Sequence, residues 1–288
     1  MISYGQAIIL GLLQGFSELF PISSLGHSVI LPTLLGWNIH QNDPFFITFL
    51  VATHLATAIV LLLFFLSDWI RIVRGLGRSL RRREIGNDPD ARLGWLLVVG
   101  TIPAGLLGLL LEHALRDLFA SARSAAFFLM LNGVMLYGAE RLRRRASEVD
   151  AANEAATGDA RITQRVSWRG ALGIGAAQAL ALIPGLSRSG ATMGGGLLAG
   201  LSNEDAARFA FLLATPIIAA AAVLKLPELL GPAGNGVRGP ALVGALCSAA
   251  TAYLSVRFLM RFFETNRLTP FAVYCFVAGL TLTAYLAL

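Results

Sequence analysis

The chain carries too little charge for its size. Only 14% of its 288 residues are Asp, Glu, Lys or Arg, against 56% hydrophobic residues, and the mean hydropathy is +0.67. A soluble core cannot bury so much apolar surface under so little polar surface, so the composition excludes a water-soluble domain and specifies an integral membrane protein. Cysteine is nearly absent. Cys247 and Cys275 both fall in apolar runs, which leaves no disulfide framework or thiolate metal cluster and reads them as small apolar side chains. Neither a Gly-x-x-x-x-Gly-Lys-Ser/Thr nucleotide loop nor a His-Glu-x-x-His zinc motif occurs, which removes ATP-driven and zinc-hydrolase chemistry. The N-terminal apolar run has no basic leader and no small-residue cleavage site, so the first helix is expected to stay in the mature protein.

Long apolar runs are what the chain does have. A hydrocarbon core of roughly 30 Å needs about 20 apolar residues of helix. Runs of that order recur at 45–66, 93–111, 125–140, 207–227, 241–258 and 270–288, read here as six spans. Most of the 23 Lys and Arg residues fall in 71–92, 141–169, Arg208 and 257–267. The net charge of +6 therefore sits beside the spans rather than on a soluble face suited to nucleic acid. By the positive-inside rule these segments are cytoplasmic, and 37–44, 112–124 and 228–240, which hold few basic residues, lie outside. The six spans then alternate only if 2–36 and 168–201 each enter and leave on one side, as re-entrant hairpins.

The two hairpins resemble each other. "QGFSELFPISSLG" at 14–26 and "QALALIPGLSRSG" at 178–190 both run Gln, apolar helix, Pro, hydroxyl cluster, Gly, and "FLVAT" at 49–53 is echoed by "FLLAT" at 211–215. The expected fold is an all-α polytopic membrane protein, an inverted repeat of one re-entrant helical hairpin plus three transmembrane helices, with halves 1–143 and 166–288. Proline-interrupted segments at matching positions point to a site near the middle of the membrane. The polar, Ala-rich stretch 144–165 is expected to be a flexible cytoplasmic linker, and Ser202 ahead of Asp205 to cap the 207–227 helix.

An ionisable side chain inside a membrane segment costs about 2.5–3.5 kcal/mol on insertion scales, so it usually has a partner or a task. Glu18, His27 and Arg188 are the three that stand out. Pro21 ends a helix at Leu19–Phe20, and Ser23, Ser24 and Gly26 then form a turn able to present N–H groups to an anion. In "PGLSRSGAT" at 184–192, Ser187, Ser189 and Thr192 surround the Arg188 guanidinium, whose planar fork suits phosphate oxygens. Facing each other, the clusters hold the groups that phosphoryl transfer needs; the bland alternative is an Arg188–Glu18 pair and back-bonded hydroxyls serving only as helix glue. His54, on an apolar span, reads as a packed, hydrogen-bonded histidine, and His40 and His113 as solvated loop residues.

At these residues the chain resembles the undecaprenyl-diphosphate phosphatase family, the bacitracin-resistance proteins. Gln14, Glu18, Pro21, Ser23, Ser24, Gly26 and His27 match the form E/Q-x-x-x-E, P-x-S-S-x-G-H, and 184–192 matches P-G-x-S-R-S-G-A-T. The resemblance implies a multi-pass enzyme of the bacterial inner membrane that hydrolyses undecaprenyl diphosphate to undecaprenyl phosphate and phosphate. Such an enzyme recycles the carrier of peptidoglycan synthesis and gives antibiotic resistance. Its expected partners are the polyprenyl diphosphate and membrane lipids, with a homodimer also compatible. Ser24 is the expected nucleophile with His27 as its base, or His27 attacks directly; Glu18 orients His27 or ligates a divalent cation such as Mg²⁺; Arg188 neutralises the transferring group; Gln14, Ser23, Ser187, Ser189 and Thr192 bind substrate. Gln14 stands where many members carry glutamate, which removes one negative charge and one metal ligand. The site is expected to open outward. A secondary transporter shares the repeat and broken helices, but has no need of a nucleophile beside an anion site.

Overall fold

The structure, a computed structural model, describes residues 2–39, 43–119, 121–147, 158–231 and 235–287. Among these residues all regular structure is helical: α1 (Tyr4–Leu19), α2 (Ser24–Leu34), α3 (Pro44–Phe64), α4 (Leu66–Arg82), α5 (Pro89–Phe119), α6 (Ala122–Ser147), α7 (Asp159–Arg165), α8 (Trp168–Gln178), a 3-10 turn (Ala179–Leu182), α9 (Arg188–Leu198), α10 (Asn203–Leu230), α11 (Arg238–Thr265) and α12 (Thr269–Tyr285). Each expected span lies largely on a helix, although 45–66 runs past the end of α3 into α4 and 270–288 extends beyond α12. Among the described residues four are long and apolar enough to cross a membrane: Phe45–Phe64, Pro89–Leu111, Asn203–Leu224 and Arg238–Thr265. The expected spans 125–140 and 270–288 correspond to α6 and α12, which fall short of that standard; α12 has 17 residues, about 25 Å at 1.5 Å per residue. They pack on each other instead, with Gly133 of α6 and Gly279 of α12 set so tightly against the partner backbone that a Cβ at either would overlap it.

The hairpins fold as the prolines dictate. α1 is capped by a Ser3–Gln6 box and stops before Phe20, and α2 begins one turn later with Ser23 as its N-cap. The second hairpin repeats this: α8 and the 3-10 turn end before Ile183, and Ser187 caps α9. At 16 and 11 residues, α1 and α2 are too short to cross alone. α1 is seated on α11 by small residues: a Cβ on Gly11 would overlap the carbonyl of Gly244, and one on Gly15 that of Ser248. This spacing of small residues four apart lets two helix backbones approach where lipid offers no hydrophobic drive. Ser202 accepts the N–H of Asp205 at 3.0 Å and starts α10, as its position in the sequence implied.

The linker expectation needs correction. Residues 148–157 lie outside the described residues, but 159–165 form α7, which docks by charge and by the buried Ile162. Asp159 accepts from Arg71 Nη2 at 2.8 Å and from Arg208 Nε at 2.9 Å; Arg208 also pairs with Asp68 at 2.8 Å, and Arg71 with Asp68. The basic segments 71–92, 159–161 and Arg208 thus meet in one ionic cluster beyond the C-terminal end of α3. At the other end of α3, Ile2, Phe46 and Phe49 form a separate apolar cluster with Trp37, Ile39, Leu229 and Val237, the last four coming from the segments read as outer.

Candidate active site

The site forms where the two breaks meet. Ser23 sits at φ +69°, a left-handed conformation that costs a non-glycine residue about 1–3 kcal/mol. Its Oγ accepts the N–H of Gly26 in its own hairpin and that of Gly185 in the other, each at 3.2 Å. Gly26 packs on Gly185 with no room for a Cβ. Ser189 Oγ donates to the carbonyl of Phe20 at 3.1 Å. The strain at Ser23 is therefore offset by bonds that lock the hairpins face to face.

Glu18 is the centre. It is buried, and its carboxylate gathers donors from three elements: Arg188 Nη2 at 2.6 Å on Oε1, and Ser24 Oγ at 2.5 Å and Gln14 Nε2 at 2.9 Å on Oε2. His54 Nε2 lies 3.5 Å from Oε2. The ring of His54 is fixed by its Nδ1, which faces the carbonyl of Leu50 at 2.7 Å; a carbonyl only accepts, so Nδ1 carries the hydrogen. His54 is thus more than a packed histidine of α3. Its one signal in the sequence was an imidazole inside an apolar span.

The expected Ser24–His27 pair does not form. Both residues lie in the first turn of α2, but the His27 ring turns back so that Nδ1 meets the carbonyl of Ser23 at 2.7 Å, while Nε2 meets the Tyr274 hydroxyl at 2.8 Å, the two rings stacked at 5.9 Å. Ser24 is left to Glu18, which reaches it because the Pro21 break folds α1 back beside α2. The hydroxyls expected to face a diphosphate are likewise bonded inward: Ser187 caps α9 through the N–H of Gly190, Ser189 holds Phe20, and Thr192 back-bonds to the carbonyl of Arg188 at 2.8 Å. They build the turns that aim Arg188 and the helix N-termini, and they are all buried.

The residues present do not fit a divalent cation held by Glu18. Both carboxylate oxygens are taken by donors, one of them cationic, and among the described residues no group of three or more His, Cys, Asp or Glu side chains could share a metal ion. Gln14 Oε1 is buried without a hydrogen-bond partner, while its Nε2 serves Glu18. A cation accompanying a diphosphate would rest on phosphate oxygens and water. Gln14→Glu replaces the amide donor with a second carboxylate beside Glu18, so this variant is expected to become more sensitive to chelators than the unsubstituted protein. Equal chelator sensitivity in phosphate-release assays would contradict this account of Gln14.

The pattern of the bacitracin resistance protein BacA family matches residues 7–281. The chain belongs to that family. Within it, a protein of Mycolicibacterium paratuberculosis named undecaprenyl-diphosphatase is 51% identical over 304 residues, spanning 100% of this chain and 98% of its own. Undecaprenyl-diphosphatase 2 of Frankia alni is 44% identical over 341 residues, spanning 100% and 99%. Undecaprenyl-diphosphatase 2 of Chromobacterium violaceum is 44% identical over 279 residues, spanning 95% of each chain. Membership covers both hairpins, so the Glu18–Ser24–Arg188 constellation lies inside the matched region of this bacitracin-resistance family member.

Proposed function

We infer that this chain is a membrane phosphatase converting undecaprenyl diphosphate to undecaprenyl phosphate and inorganic phosphate. It thereby recycles the lipid carrier of peptidoglycan synthesis and confers bacitracin resistance. The observation that carries the chemistry is Ser24 Oγ donating at 2.5 Å to a carboxylate that Arg188 grips at 2.6 Å. A hydroxyl nucleophile and a phosphate-matching cation, both bonded to one carboxylate that can take the proton, are what phosphoryl transfer requires. Transport requires only the cation.

In the mechanism we propose, Ser24 Oγ attacks the terminal phosphorus as its proton passes to Glu18 Oε2 along the existing hydrogen bond. The bond between that phosphorus and the bridging oxygen breaks, and the oxygen leaves with undecaprenyl phosphate. Arg188 swings from Glu18 to the phosphoryl oxygens as Glu18 takes up the proton, and the N-termini of α2 and α9 add partial positive charge at the same place. Water then attacks the phosphoserine and gives its proton to His27 Nε2, which the Tyr274 hydroxyl occupies in the absence of substrate. The Ser24 oxygen departs and recovers its proton from Glu18, and His27 passes the water-derived proton to the released phosphate or to solvent, which restores the starting state. Purified protein is expected to release phosphate from polyprenyl diphosphate in detergent; binding without turnover would favour a transporter.

The architecture we propose for this site is the inverted repeat, α1–α2 with α3, α5 and α6 against α8–α9 with α10, α11 and α12. Helix packing supports it, because exchanging the halves turns α1 on α11 into α8 on α5 and α3 on α11 into α10 on α5, while α3–α10 and α6–α12 pair across. α1 starts in the apolar cluster of the outer segments, whereas α8 follows α7 out of the ionic cluster. These placements favour hairpins entering from opposite faces and, with the positive-inside rule, a site open to the periplasmic side of the inner membrane.

A further inference from the structure

Asn132 belongs to α6 and to neither hairpin, and it is fully buried. Its amide is spent on the two breaks. Nδ2 donates to the carbonyl of Pro21 at 2.9 Å and to Cys275 Sγ at 3.3 Å, and Oδ1 accepts the backbone N–H of Ser187 at 3.0 Å. The Cys275 thiol, on α12, lies 3.7 Å from the same Pro21 carbonyl. Pro21 stands three residues before Ser24, and Ser187 immediately before Arg188. One side chain therefore bonds the backbone on both sides of the gap in which the proposed nucleophile and the proposed phosphate-binding cation face each other.

We propose that Asn132 is a positioning residue for phosphoryl transfer, setting the separation of the Ser24 hydroxyl and the Arg188 guanidinium through the main chain that carries each. The proposal rests on the phosphatase reading of the site. α6 has no need of this amide for packing alone: it lies on α12 through Gly133 and on α9 through Leu136 against Gly190. The other ties between the hairpins, Gly185 to Ser23, Ser189 to Phe20 and Arg188 to Glu18, come from the hairpins themselves. Asn132 instead fixes both to a third body, the α6–α12 pair, which also carries Tyr274 against His27. A buried amide with all three bonds satisfied holds its partners rigidly. A misplacement of about 1 Å between reacting groups costs about 10²-fold in rate.

Asn132→Asp tests this with almost no change of shape. Its oxygen on the Ser187 side still accepts, while the other, once ionised at a pH above its titration, faces the Pro21 carbonyl with no hydrogen to give. The expected result is a fall of about 10²-fold in kcat with KM for polyprenyl diphosphate changed by less than about threefold. In an Arg188→Lys background the same substitution is expected to cost less than about threefold more, because the geometry it protects is already lost. Asn132→Leu, which loses every bond, should be at least as slow. Unchanged kcat at equal folded amount, or losses that multiply with Arg188→Lys, would overturn the proposal. So would an Asn132→Asp protein that cannot be recovered folded, since Asn132 would then be a folding residue. Failure of the underlying phosphatase reading looks different: the unsubstituted protein itself would release no phosphate.

Discussion

Ser24→Ala is expected to lose about three orders of magnitude or more in turnover at equal folded amount, with little change in stability. The residue is half-buried, and its hydroxyl makes one hydrogen bond, to Glu18. Removing it leaves Glu18 with Arg188 and Gln14 as donors, so no buried charge is abandoned. What disappears is the only proposed nucleophile. A serine hydroxyl attacks poorly at neutral pH without a base in contact, and Glu18 is that base in this arrangement. Because His27 is assigned to the second half of the reaction, the Ser24→Ala, His27→Gln double variant should be scarcely slower than Ser24→Ala alone: without a phosphoserine, His27 has nothing to turn over. Losses that multiply would show that the two residues act independently.

Arg188→Lys is expected to lose about 10²–10³-fold in kcat although the charge is kept. The guanidinium reaches Glu18 with one nitrogen, leaving further N–H donors of its planar fork for phosphoryl oxygens. An ammonium on a flexible stem keeps the ion pair and loses the fork. Stability should change little, because truncating one partner of a buried ion pair costs about 3–5 kcal/mol only when the other charge is left unpaired. Kinetics and thermal unfolding of the lysine form in detergent separate these effects. Turnover near that of the unsubstituted protein would make the Arg188–Glu18 pair helix glue.

The parts of this site that lie along the chain were legible in the sequence. Pro21 and Pro184 announced the breaks, the serines beside them are the caps of α2 and α9, and Ser202 capped α10 where its position said it would. Apart from the Arg188–Glu18 pair, what could not be read was which groups meet across the fold. Three residues of separation suggested that Ser24 and His27 pair, yet the carbonyl of Ser23 is nearer to the imidazole than any hydroxyl and takes Nδ1. Asn132, His54 and Tyr274 come from α6, α3 and α12, and no local pattern ties them to either hairpin. The linker misled for a related reason. Its composition is that of a solvated chain, but Asp159 is held by Arg71 and Arg208 from two distant helices. The span reading was weakest for α6 and α12, where polar groups such as Asn132 and Glu140 face inward; Glu140 accepts the N–H of Leu268 at the start of α12.

The most direct measurement is to trap the covalent intermediate. In His27→Gln protein the hydrolysis step should be slower than its formation, so mixing with polyprenyl diphosphate and quenching in acid is expected to leave one phosphoryl group on the peptide containing Ser24, together with a burst of lipid monophosphate equal to the enzyme present. A phosphoryl group on histidine in the unsubstituted protein, stable to alkali and labile to acid, or hydrolysis with no phosphoenzyme at any time, would contradict attack by Ser24.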